Sequence, residues 1–145
     1  MLAKAYLDLK KKQEQEVNDF PIAWAFSEEQ LEEALKKLGA ERSEVCTVLG
    51  HGDVVKKTDA KKLIAMLTRH FDEIHELIKS DKDIAYETFL YEMNNHEYAI
   101  NWEGDDDVLS CLGLNRDKLR KWDLVDIYNR AVRSHMKYAE ELGII

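Results

Sequence analysis

Any chemistry in this chain must be built from five histidines, two cysteines and 29 carboxylates. They crowd most closely in NNHEYAINWEGDDD, Asn94 to Asp107, where a His-Glu pair precedes a tryptophan and a run of acids. A His-Glu pair is half of the zinc-hydrolase helix motif, which needs a second histidine four residues after the first so that both ring nitrogens share one helix face. Position 100 is Ile, and His75-Glu76 fails in the same way with Lys79 at the required place. The Pro-Cys-x-x-Cys run of the zinc deaminases is also missing. His96 is therefore expected to cap carbonyls at a helix end after Asn94-Asn95.

A structural metal is the next candidate. Cys46, His51, His96 and Cys111 supply thiolate and imidazole, the ligands zinc prefers. A hairpin with His51 in its turn and Cys46 on its first strand would bring two of them together. No CxxC or HxxxH pair fixes the geometry, so the four positions make a weak signal for zinc. Of the other histidines, His135 falls on an apolar helical stripe and reads as a core residue. His70 borders the core and His75 flanks it. None has a Ser or Cys nucleophile with an orienting third group marked by spacing. GHGD, Gly50 to Asp53, lacks the Gly-Lys-Ser/Thr ending of a phosphate loop.

The carboxylates carry a different message. Net charge is −8, but residues 70–107 hold 12 acidic and 2 basic residues, a local net of 2 − 12 = −10. Such a block disfavours nucleic acid and attracts a basic protein surface. Its bland reading is a solvated face that maintains solubility. The candidate partner-binding residues are Asp72, Glu73, Glu76, Glu97, Trp102, Glu103, Asp105, Asp106 and Asp107, with Trp102 as the aromatic anchor. Trp24 and Trp122 are expected in the core or at its edge.

The elements that must position these residues follow from periodicity and punctuation. With 145 residues, 45 % of them hydrophobic, six glycines and one proline, one globular domain over 1–145 with long helices is expected. Residues 3–18 read as a helix with Leu2, Tyr6, Leu9 and Val17 as its stripe, stopped by Pro21. PIAWAF (Pro21 to Phe26) is a short strand. Ser27 and Gln30 form a capping box for a helix that ends at Gly39. SEVCTVLGHGDVVKKTD is a β-hairpin. A long helix follows from Thr58 or Asp59 through Ile78, and after a break near Ser80-Asp81 another runs past Met93. The alternation of Tyr98, Ile100 and Trp102 predicts a strand over 97–102. Asp105–Asp107 open a short helix, and the last helix spans about Trp122 to Leu142. The fold class is α+β, mainly helical, with a small antiparallel sheet. No apolar run approaches the ~20 residues needed to span a membrane, and the N-terminus lacks the apolar core of a signal peptide. With only two cysteines, a reducing cytosol is expected.

FPIAWAFSEEQLEEALKKLGA (Phe20 to Ala40) and LYEMNNHEYAI (Leu90 to Ile100) resemble two blocks shared by small, largely uncharacterised proteins of bacteriophages and mobile elements. The hairpin with Gly50 and Gly52 and the capped helix after it are similar too. The resemblance spans about Phe20 to Leu114, with the last helix outside it, and carries no catalytic residue across. It implies a phage or prophage origin and expression in a bacterial cytoplasm. Size, acidity and the lack of enzyme motifs are similar to those of anti-CRISPR proteins. The leading expectation is a non-enzymatic anti-defence inhibitor that binds a type II effector nuclease through an acidic face and obstructs DNA loading. The alternative is a zinc-supported structural or adaptor protein of the phage. A third is an enzyme with a carboxylate or His–Glu site.

Overall fold

The computed structural model describes residues 3–145, so Leu2 of the first stripe lies outside the described residues. Those residues form seven α-helices and three short strands: α1 (Lys4–Asp19), β1 (Ala23–Trp24), α2 (Glu28–Leu38), β2 (Val45–Cys46), β3 (Asp53–Lys56), α3 (Ala60–Ser80), α4 (Lys82–Asn95), α5 (Gly104–Cys111), α6 (Arg116–Lys121) and α7 (Val125–Glu141). The α+β, mainly helical expectation holds. By backbone contacts the chain divides into two compact units, Lys10–His70 and a second made of the chain up to Leu9 together with Phe71–Ile145.

In the Lys10–His70 unit the strands form an antiparallel sheet in the order β1-β3-β2, with Ala23 opposite Val54 and Cys46 opposite Val55. Successive strand residues face opposite sides, and β3 uses both. Val54 packs with Ala23 and with Ala34 and Leu38 of α2, while Val55 packs with Ile22 and Leu63 and is flanked by Val17 and Phe20. The caps read from sequence set the limits of α2. Ser27 Oγ accepts from the Gln30 N–H, and Gly39 ends the helix at φ 63°. The Gln30 side chain reaches one residue further back than a capping box requires, accepting from the Phe26 N–H. Trp24 is exposed, where a place in the core or at its edge is expected.

The second unit is a helical core. Tyr6 of α1, Ile74 and Ile78 of α3, Phe89 and Met93 of α4, Val108 of α5, Leu119 of α6 and Tyr128 and Ala131 of α7 share one buried cluster. Two elements differ from expectation. Residues 97–102 are not a strand: Tyr98–Ile100 form a 3₁₀ turn entered through Glu97 at φ 52°. A strand needs a neighbouring edge to satisfy its backbone, and among the described residues this unit contains no other strand. The turn instead closes locally, the Ile100 N–H donating to Glu97 O. Arg116–Lys121, for which the periodicity predicts no element, form α6, capped by Asn115, whose Oδ1 accepts from the Lys118 N–H at 2.8 Å. Leu119 is its buried anchor. The break that follows at Trp122-Asp123, with Asp123 at φ 56°, delays the last helix to Val125.

Candidate functional site

The turn between α4 and α5 is held from three sides. From α7, His135 Nε2 accepts the Ala99 N–H at 3.0 Å. From α5, Asp105 Oδ1 accepts the Tyr98 hydroxyl at 2.8 Å, and Asp107 accepts from the Asn101 amide at 2.8 Å. The same amide donates to the His96 carbonyl at the end of α4, at 3.0 Å. Gly104 lies flat against the Tyr98 ring, where a Cβ would come within 2.8 Å of Cδ2. A fixed backbone of this kind normally serves to bury side chains. Here Ile100 keeps 55 % of its surface and Trp102 all of it (103 %).

Charge around the turn is less available than the sequence count suggests. Asp105 accepts from Tyr98, from Tyr128 at 2.7 Å, and pairs with Arg116 at 2.7 Å. Burial alone would raise its pKa, but the two phenols and the guanidinium together hold it below the usual value. Conversely, burial and the Asp105 carboxylate push the Tyr98 phenol up to about 12. Asp105 and Asp107 thus belong to the scaffold. Glu97, Glu103 and Asp106 are exposed, and Glu103 and Asp106 line a recess together with Trp102. This shallow recess of about 380 Å³ under Trp102 is lined by Tyr98, Glu103, Asp106, Arg116 and Met136 among others, but not by Asp72, Glu73 or Glu76, which lie on α3.

The metal candidates divide. Cys46 and His51 belong to the Lys10–His70 unit, and among the described residues neither joins a group of three metal-capable side chains. His96 and Cys111 do come together, and with a residue the sequence reading passed over, Glu92. His96 ends α4 as expected, its backbone N–H donating to the Glu92 carbonyl at 2.9 Å, while its ring serves another partner. The ring turns back one helical turn, placing Nε2 3.2 Å from Glu92 Oε2. Cys111 Sγ lies 3.0 Å from the same oxygen. Glu92 precedes His96 by four residues, the spacing that shares a helix face. An acid on a stripe with Ala85, Phe89 and Met93 was the available signal.

His135, His75 and His70 each hold a hydrogen bond or ion pair. His135 and His75 are buried, His75 Nε2–H donating to the Leu112 carbonyl at 2.9 Å. His70 Nε2 lies 3.1 Å from Glu16, which Arg69 also grips. These partners hold the Glu16 carboxyl down at about 2. The GHGD turn is filled from within by Asp53, which accepts from the Thr47 hydroxyl at 2.7 Å and the Val48 and Leu49 N–H groups at 2.8 and 3.0 Å. Its amides serve their own chain's carboxylate.

Residues 5–134 match the model of a family of unknown function, DUF7659, and the chain belongs to that family. The match runs beyond the two sequence blocks at both ends and takes in much of α7. No curated protein and no solved structure matches the chain. Among the described residues no helix is long and apolar enough to cross a membrane.

Proposed function

We propose that this chain is a binding protein rather than an enzyme, and that it docks on a partner protein through Trp102. The observation that carries this reading is the full exposure of Trp102 beside a turn tied to α4, α5 and α7. Leaving a large aromatic in water forgoes the roughly 1.5–3 kcal/mol that burying such a side chain yields. A rigid turn lowers the ordering cost of binding, and buried aromatics of this type dominate interface energies. Glu103 and Asp106 beside it favour a partner that is apolar at the contact and basic at its rim.

A nucleic-acid-binding groove has that chemistry. In the specific form we propose, a phage-encoded protein acts in the bacterial cytoplasm as an anti-defence inhibitor, covering the DNA channel of a type II CRISPR effector nuclease. The test is plasmid cleavage by purified effectors with the chain in excess. Loss of cleavage that is restored by Trp102→Ala supports the proposal. Unchanged cleavage removes the CRISPR form. If a bound partner is then recovered from bacterial lysate equally by the wild type and Trp102→Ala, the Trp102 docking reading also fails.

A further inference from the structure

Glu92 is an unusual residue to find at the centre of this helical unit. It keeps 1 % of its surface and sits in α4 next to Met93, which is fully buried. An ionised carboxylate in such a place costs several kcal/mol unless charge and hydrogen bonds compensate it. The groups turned toward it are Cys111 from α5, His96 one turn further along α4, and the Tyr6 phenol of α1, which hydrogen-bonds to it. Carboxylate, imidazole and thiol have one common partner that satisfies all three, a divalent cation of the borderline class. We propose that Glu92, His96 and Cys111 form a zinc-class metal site with three protein ligands.

The geometry is close to what such an ion needs. Zinc binds oxygen and nitrogen at about 2.0–2.2 Å and sulfur at about 2.3 Å, which sets ligand atoms roughly 3–4 Å apart around a tetrahedral ion. Cys111 Sγ and His96 Nε2 lie 3.0 and 3.2 Å from Glu92 Oε2, and no pair of the three ligand atoms is wider than 4.8 Å. Closing the widest pair takes a small turn of the His96 ring, which is half-exposed and at a helix end, where such movement is least resisted. On binding, Cys111 gives its thiol proton to solvent, and His96 carries its ring proton on Nδ1 so that Nε2 can bind the metal. Two negative ligands against a double positive charge leave the buried centre neutral. Tyr6 then acts as the orienting neighbour that metal-bound carboxylates usually have. Three protein ligands leave a fourth position for water.

The site also has a structural consequence: it ties the end of α4 to α5, the two helices that flank the Trp102 turn. The inference does not depend on what Trp102 binds, and its test uses the metal alone. The full-length chain, reduced and stripped with chelator, is titrated with cobalt(II) and then zinc. The expected result is one cobalt per chain, a thiolate-to-cobalt charge-transfer band displaced by zinc, and a higher melting temperature with either metal. Cys111→Ser keeps a hydroxyl donor for Glu92 and so preserves the fold, but it should abolish the band. His96→Gln should weaken binding by more than about tenfold, the loss that even outer-shell partners of a bound metal cause. Cys46→Ser, in the other unit, should change neither. Absence of the band in the reduced wild type, or its loss in Cys46→Ser and survival in Cys111→Ser, overturns the site.

Discussion

The Ala99 backbone N–H points at His135 Nε2, 3.0 Å away. An amide hydrogen can only be donated, so Nε2 carries a lone pair and the ring proton sits on Nδ1, where it is given to Asn94 Oδ1 at 2.7 Å. His135 is thereby fixed as a neutral imidazole, and burial lowers its pKa below 6.5. The folded state binds this proton less readily than the unfolded chain. The stabilisation is complete above about pH 6.5 and is lost as pH falls through the lowered folded value.

His135→Gln keeps one acceptor and one donor in nearly the same place but does not titrate. It should cost about 1–3 kcal/mol at pH 7.5, since two buried hydrogen bonds are weakened. The gap between wild type and variant should narrow in urea denaturation at pH 5.5. A gap that is constant with pH would mean that His135 is not held neutral.

Asp105 is the most heavily used carboxylate of the turn, serving Tyr98, Tyr128 and Arg116 together. Asp105→Ala removes the acceptor from two part-buried phenols, each worth about 1–3 kcal/mol when left unsatisfied. A loss of about 3 kcal/mol is expected by chemical denaturation. Asp106→Ala, an exposed neighbour in the same run, should change stability by no more than about 0.5 kcal/mol. Equal effects would show that the run is a uniform surface and not half scaffold.

Asp53 does comparable work in the hairpin of the Lys10–His70 unit. Burial would raise its pKa, but the Leu49 and Val48 N–H groups and the Thr47 hydroxyl outweigh it, and the net shift is downward. For a lowered carboxyl the stabilisation is present above the unfolded value, near 3.8, and disappears as pH falls through the folded one. Asp53→Asn should therefore melt below the wild type at pH 7, with the difference shrinking below about pH 4. Circular dichroism at pH 7 and pH 3 reads both. A difference that grows in acid would reverse the assigned sign.

Helices were the legible part of this fold because their signals are local. Ser27, Gly39 and Asp81 each end or begin an element by chemistry within a few residues. The hairpin was legible from Gly50 and Gly52 for the same reason. The alternation of Tyr98, Ile100 and Trp102 does not single out a strand, because the eight-residue connection 96–103 between two helices produces the same pattern when its residues face different neighbours. Only partners outside the segment, Asp105 and Asp107 of the next helix and His135 far along the chain, decide between the two. Glu92 was invisible as a site residue because its meaning depends on Cys111, 19 positions away in another helix. Trp102 was legible as an anchor candidate from composition, but its rigidity was not, since that rests on bonds from three helices.

Exposure and rigidity at Trp102 can be separated by two substitutions. Trp102→Ala removes a side chain that touches water on nearly all sides, so stability should stay within about 0.5 kcal/mol of the wild type. Gly104→Ala leaves Trp102 in place but puts a methyl 2.8 Å from the Tyr98 ring, forcing the ring or the turn to move. Overpacking of this kind costs about 1–3 kcal/mol. The two variants should therefore separate in thermal denaturation, with Gly104→Ala destabilised and Trp102→Ala not. If binding depends on a pinned turn, both should lose affinity, for opposite reasons: one lacks the anchor and the other its support. A Gly104→Ala protein that is destabilised yet binds as tightly as the wild type would show that Trp102 needs no support. A Trp102→Ala protein that melts early would show that the indole belongs to the fold after all.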